Sequence, residues 1–110
     1  MSESNEISAA ERLNAEYGPR GLILAGRLQL PKDDALEFAD CLRAIGVGVY
    51  GLELWYYSDA HPGKAIEFPW SPDYSKWTSD PNFPTKSIDA AKAYIIGDMP
   101  SYISLIGFVF

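Results

Sequence analysis

Between residues 47 and 57 the chain reads VGVYGLELWYY, and within it Tyr50, Leu52, Leu54 and Tyr56 form an unbroken apolar row at period two. Val47, Val49, Gly51, Glu53, Trp55 and Tyr57 make up the opposite row. Alternation of this kind is the signature of a β-strand, whose successive side chains point to opposite faces. The pattern predicts a central strand over 47–57 with the Tyr50, Leu52, Leu54, Tyr56 row buried. Because both rows are mostly apolar, both faces are expected to be covered at least in part, with helices the natural cover. Two residues break the pattern: Gly51, which weakens a strand unless a close neighbour or a bulge requires it, and Glu53, a carboxylate among large apolar side chains.

The rest of the chain sorts around this stretch. Ile7, Ala10, Leu13 and Tyr17 recur at helical spacing in a segment that Gly18 and Pro19 terminate, which predicts a short first helix over 3–17. GLILAGRLQL, residues 21–30, reads as a strand interrupted at Gly26. Residues 33–45 make the strongest helix. Pro31 stands at its entry, Asp33 and Asp34 lie in the first turn, and Gly46 is its terminator. Ala35, Phe38, Ala39, Leu42 and Ile45 share one face of it, and Asp33, Glu37, Asp40 and Arg43 fall mainly on the other. From 58 to 86 the prolines Pro62, Pro69, Pro72, Pro81 and Pro84 exclude a long helix. A short strand over 64–68 is expected there, joined to the central strand by a turn at 59–63. The remainder, with Trp70, Tyr74, Trp77 and Phe83, is too aromatic for a disordered linker and reads as a packed irregular layer. Ser87 reads as the N-cap of a last helix over 87–96, carrying Ile88, Ala91, Tyr94 and Ile95, and ISLIGFVF at the end reads as a buried strand beside the central one. The expected fold class is therefore α+β: one domain over 1–110, with a small, mostly antiparallel sheet of three to four strands flanked by two to three helices and a long aromatic- and proline-rich loop.

Composition narrows the function. At 110 residues, 47% hydrophobic and 14% aromatic, the chain has the content of a packed single core. The net charge of −6 argues against nucleic acid as a partner, because phosphate contacts need clustered lysine and arginine. It suits a basic protein partner, whose complementary potential speeds encounter. No run approaches the roughly twenty apolar residues of a membrane span, and the first residues carry neither a basic start nor an apolar signal core, so a cytoplasmic address is expected. The single Cys41 has no partner for an internal disulfide and reads as a small packing residue.

Few residues carry chemistry. His61 is the only histidine; Asp59, two residues away, or Glu53 would orient it in an acid–base site, against the commoner reading of a surface residue in a turn. No companion His or Cys cluster offers a metal site, no serine has a nucleophile context, and no cofactor is implied. Gly46, Gly48 and Gly51 have the G-x-G-x-x-G spacing but run from helix into strand, the reverse of a dinucleotide site. Glu53 is either a buried acid with a raised pKa or a carboxylate held at the surface or by a hydrogen bond, and the latter is favoured. Trp55, Tyr57, Trp70, Tyr74 and Trp77, interleaved with Asp59, Asp73 and Asp80, are the most suggestive set. They read either as core or as a binding face with aromatic anchors ringed by carboxylates.

The passage Pro31-Lys32-Asp33-Asp34-Ala35-Leu36, continuing through Ile45-Gly46-Val47 to Tyr50-Gly51-Leu52-Glu53-Leu54-Trp55, resembles immunity protein family forty of bacterial polymorphic toxin systems, as does the order of the region around Asp73-Tyr74-Ser75-Lys76-Trp77 and the closing helix and strand. The resemblance implies a small cytosolic inhibitor, not an enzyme, that binds a cognate toxin domain and blocks its active site or substrate surface. The partner-binding residues expected on that reading are Trp55, Tyr74 and Trp77 as anchors and Asp59, Asp73 and Asp80 as charges placed where phosphates would sit. The alternatives are a peptide- or sugar-binding module using the tryptophans and a small enzyme using His61.

Overall fold

The computed structural model describes the backbone from residue 2 and the side chains from residue 9. Its elements run α1 (Ser2–Tyr17), β1 (Leu22–Leu24), β2 (Arg27–Gln29), α2 (Lys32–Ala44), β3 (Gly51–Tyr57), β4 (Ala65–Glu67), α3 (Phe83–Gly97) and β5 (Leu105–Val109), with single 3₁₀ turns at Gly18–Arg20 and Ser75–Trp77. The chain is α+β, with three helices and two small antiparallel sheets. β3 is the central strand of the larger sheet, between β4 and β5, and β1 pairs with β2 in the smaller. A reciprocal pair of 2.8 Å backbone bonds between Leu30 and Ile106 joins the end of β2 to β5, so the two sheets continue one another.

One face of β3 and β5 carries the core. Leu52, Leu54, Ile106 and Phe108 meet Phe38, Ala39 and Leu42 of α2 and Ile88, Ala91 and Ile95 of α3 in one contiguous apolar cluster. The apolar stripe of α2 is buried as its spacing predicts, and the Phe38 ring stacks on Phe108 at 5.6 Å. Ala10, Leu13 and Tyr17 of α1 are buried, while the side chain of Ile7 lies outside the described residues. α2 ends at Gly46, where φ is +76°. There Gly46 N–H donates to the Arg43 carbonyl at 3.0 Å and Val47 N–H to the Leu42 carbonyl at 3.0 Å, the paired bonds of a Schellman cap, which need the left-handed residue glycine provides.

Three expectations are corrected. The strand begins at Gly51 rather than 47, so period two does not extend to Tyr50, which is 46% exposed; Leu52 and Leu54 are buried and Tyr56 half-buried. Residues 47–50 instead cross from α2 to the sheet in a non-repetitive path that buries Val49 and leans the Tyr50 ring on Phe83, 5.6 Å away. Residues 21–30 are not one strand but a hairpin: Ala25 and Gly26 both have positive φ (51° and 77°), the two-residue turn that matches the twist of antiparallel strands. The last helix starts at Phe83, with Pro84 in its first turn, where a missing N–H costs nothing. Ser87 is therefore inside the helix; its buried hydroxyl accepts the Val49 N–H at 3.0 Å and donates to the Pro84 carbonyl at 3.3 Å, tying α3 to the segment before β3.

Gly51 has a close neighbour after all. It opens β3 opposite Asp73, and a Cβ there would stand 2.9 Å from the Pro72 carbonyl oxygen. The short strand at 65–67 and the closing strand fall where the pattern puts them, on either side of β3.

Candidate functional site

The face of β3 turned from the helices carries Glu53, half-buried and hydrogen-bonded. Arg27 Nη1 donates to its Oε2 at 2.7 Å and Gln29 Nε2 to its Oε1 at 2.8 Å. Gln29 is fully buried, and its amide lies over Gly107, the residue paired with Glu53 across the sheet; a Cβ at 107 would stand 2.3 Å from Gln29 Oε1. This network joins the hairpin to the sheet. Glu53 is thus a held carboxylate. Trp55 lies on the same face two residues on, half-buried, with its indole Nε1 enclosed and without a hydrogen-bond partner among the described residues.

Four of the six expected partner-binding residues come together at one end of β3. Tyr74 is buried, and its ring stacks on Trp77 with centroids 5.5 Å apart and planes at 19°. Tyr74 N–H donates to the Tyr50 carbonyl at 2.8 Å, fastening the loop to the entry of β3. Asp73 and Asp80 hold the turns on either side, accepting the backbone N–H groups of Ser75 (2.9 Å) and Asn82 (2.8 Å). Those bonds hold both carboxyls below their usual range, for Asp73 through Ser75 and for Asp80 through Asn82 with help from Lys86. The Lys86 ammonium stands 5.0 Å over the Trp77 ring and 3.3 Å from Asp80 Oδ2. Burial pushes the Tyr74 phenol up to about 12. In this corner the aromatic pair, the Lys86 cation and Asp80 satisfy one another, and Asp73 is satisfied by its own turn.

The other two expected residues lie elsewhere. Asp59 is exposed in the turn after β3, at the opposite end from Asp73 of a seven-residue strand that spans roughly 20 Å. Trp55 is mid-strand on the face without helices. His61 is exposed in the Asp59 turn, where its backbone N–H donates to Ser58 and its carbonyl accepts from Lys64; among the described residues its imidazole has no carboxylate within hydrogen-bond reach. Its side chain therefore lacks the orienting partner an acid–base site needs. Among the described residues no group of three His, Cys, Asp or Glu could hold a metal, and no helix is long and apolar enough to cross a membrane.

A second aromatic set, which the sequence left scattered, is assembled between the run that follows β4 and the last turns of α3. The ring of Tyr102, 56% exposed, meets Tyr56 edge-on at 5.5 Å and Phe68 at 6.1 Å; the Trp70 ring, 57% exposed, lies 5.6 Å from Tyr94. Phe68, Trp70, Tyr94, Asp98 and Pro100 line an open cleft of roughly 550 Å³. Three chain segments supply it: the run following β4, the last turns of α3 and the Pro100–Tyr102 turn. Tyr94 has its phenol pushed above its ordinary value by burial and then by the Asp98 carboxylate and Tyr102. Asp98 closes α3 and is exposed, with no ion-pair partner among the described residues. Sequence reasoning put Trp70 among the aromatics of interest but missed Phe68, Tyr94, Tyr102 and Asp98. The signal available was local: a helix ending in Tyr94-Ile95-Ile96-Gly97-Asp98, an acid at the end where a base is favoured, followed at once by Pro100 and Tyr102.

No family model, curated protein or solved structure matches this chain.

Proposed function

We propose that this protein is a non-catalytic inhibitor that binds a basic protein, and that the partner is a cognate toxin domain which it neutralises in the cytoplasm by occupying the active site or substrate surface. The observation that carries the binding reading is the open aromatic cleft at the end of α3, where Trp70 is more than half exposed beside Asp98, an acid with no counter-ion among the described residues, and where Tyr102, also more than half exposed, packs on Phe68. Exposed tryptophan and tyrosine beside a depression are the usual anchors of a protein interface, and the net charge of −6 favours a cationic surface opposite. The toxin class rests on the resemblance of residues 31–36 and 45–55 to immunity proteins alone.

Of the acids first expected at the interface, Asp73 and Asp80 are occupied by their own turns. The reading accordingly takes Trp70, Tyr94, Tyr102 and Asp98 as the interface in their stead. The test is co-purification and a binding titration against the protein encoded by the neighbouring reading frame. Trp70→Ala and Asp98→Lys should each weaken that binding, and Asp98→Lys should also flatten its salt dependence; the pair Asp73→Lys and Asp80→Lys should change it far less in the fraction that stays folded. Absence of any affinity for a neighbour-encoded protein removes the immunity reading. The same exposed tryptophan favours a second reading, a module that binds short peptides or sugars, and a tryptophan-fluorescence screen with neutral peptides and oligosaccharides separates the two.

A further inference from the structure

Twice in this molecule a cation is held between an aromatic ring and carboxylates. The Arg20 guanidinium carbon stands 4.5 Å over the Tyr17 ring, and Arg20 Nη1 lies 3.1 Å from Glu37 and 3.4 Å from Asp34. The Lys86 ammonium stands over Trp77 and pairs with Asp80 as described. The cleft at the end of α3 repeats the arrangement with one member missing: two rings, Trp70 and Tyr94, and a carboxylate, Asp98, but among the described residues no lysine or arginine over either ring or against the acid.

The location strengthens the negative side. Asp98 caps the C-terminus of α3, where the helix dipole already contributes partial negative charge, and the last turn contains no basic residue to offset it. A π-face, a carboxylate and a helix C-terminus all favour a cation, and the walls of Phe68, Pro100 and the two rings suit the aliphatic stem of a long side chain.

We propose that the cleft lined by Trp70, Tyr94 and Asp98 is the receptor for an arginine side chain of the partner protein, whose guanidinium stacks on the exposed face of the Trp70 ring, at the edge of Tyr94, and donates to the Asp98 carboxylate. Arginine fits better than lysine because its planar group stacks on a ring and donates in a fork to a carboxylate at once. The inference deepens the proposed function, since it names the partner group that the surface takes.

The test uses the full chain and two small probes, N-acetyl-arginine methylamide and its norleucine counterpart, which matches the stem without the charge. The chain is titrated with each while the indole N–H signals of its three tryptophans are followed by NMR. The arginine probe should move the Trp70 indole and bind about tenfold more tightly than the norleucine probe. Asp98→Asn should remove most of that difference, Trp70→Ala should abolish binding, and Glu11→Gln, on the exposed side of α1, should leave it unchanged. Equal affinity for the two probes, shifts centred on Trp55 or Trp77, or arginine binding indifferent to Asp98→Asn each overturns the proposal. Asp98→Asn changes no size and touches an exposed position, so its outcome does not depend on a core substitution surviving. The two readings fail separately. A neighbour-encoded toxin whose affinity ignores Trp70→Ala and Asp98→Asn overturns the arginine receptor and leaves the immunity function standing. An arginine probe that behaves as described, with no neighbour-encoded partner, supports the receptor and removes the toxin.

Discussion

The Tyr74–Trp77 corner and the Trp70–Tyr94 cleft are made of the same materials and end up opposite in character. Each contains a pair of rings about 5.5 Å apart and a carboxylate within the same neighbourhood. In the first, Tyr74 is buried, the acids cap backbone N–H groups, and Lys86 supplies the cation. In the second, Trp70 is exposed and Asp98 has none of those partners. Aromatic and acidic composition therefore does not distinguish a structural corner from a binding surface. What distinguishes them is whether the polar groups and π-faces are satisfied within the chain.

The difference is sharpest in stability. Tyr74→Ala removes a buried ring from between Trp77 and the entry of β3 and should cost about 3 kcal/mol or more, whereas Trp70→Ala should cost about 1 kcal/mol or less, since it loses chiefly its contact with Tyr94. Urea unfolding of the two variants measures both. Equal costs would mean that Trp70 is as much a part of the core as Tyr74, and the division between the two regions would disappear.

The pH dependence should separate them next. Asp73 and Asp80 are held below the usual carboxylate range in the folded state, so the folded chain favours their ionised forms. Their contribution is present above the ordinary value near pH 4 and is lost as pH falls through the lowered values. The double variant Asp73→Asn, Asp80→Asn should accordingly be less stable than the parent at pH 7, and the gap should narrow on acidification. At the other extreme, Tyr74 is pushed up to about 12, so the folded state keeps its proton where an unfolded tyrosine has lost it. Stability from this group is intact below about pH 10 and declines between there and pH 12. Thermal unfolding at graded pH, with Tyr74→Phe as the reference, reads this decline directly.

How much of this the sequence disclosed depends on whether a feature is local. The apolar stripe of α2, its Gly46 cap, the short strand after the 59–63 turn and the pairing of the last strand with β3 all follow from spacing within one segment and were legible there. Where two rules compete, the sequence misleads: proline argues against a helix, yet Pro84 stands in a first turn, and Gly26 interrupts an apolar run, yet it is part of the turn of a hairpin. Alternation at Tyr50 failed because the chain there is fastened by Ser87 and Val49, partners 38 residues apart. The cleft was the least legible feature. Phe68, Trp70, Tyr94, Asp98 and Tyr102 come from three segments, and no window of sequence contains them all.

The triad in the first region can be opened deliberately. Lys86→Ala leaves Trp77 and Asp80 without their main cation, and because the pair is solvent-exposed the cost should be about 1 kcal/mol or less. The variant should then acquire what the Trp70 cleft is proposed to have, an arginine-dependent shift at the Trp77 indole, weaker because Lys76 still lies 5.8 Å over the ring. A Trp77 signal that ignores the arginine probe in this variant would show that ring and carboxylate alone are insufficient, and that the end of α3 contributes something the Trp77 corner lacks.

The smallest expected effect bears most directly on why the second region is open. Asp98 sits at the negative end of α3 with no basic residue in the last turn and no ion-pair partner among the described residues, so its charge opposes the helix it caps. Asp98→Asn keeps the shape and removes the charge; it should stabilise the free protein by about 0.3–1 kcal/mol at low ionic strength, with the gain shrinking as salt screens the dipole. Asp80→Asn, which breaks a cap and a pair with Lys86, should move stability the other way. Opposite signs for two identical substitutions would identify Asp98 as a charge the fold tolerates rather than uses. A loss of stability in Asp98→Asn would instead mean that Asp98 is engaged within its own chain, and the contrast between the closed corner and the open cleft would no longer hold.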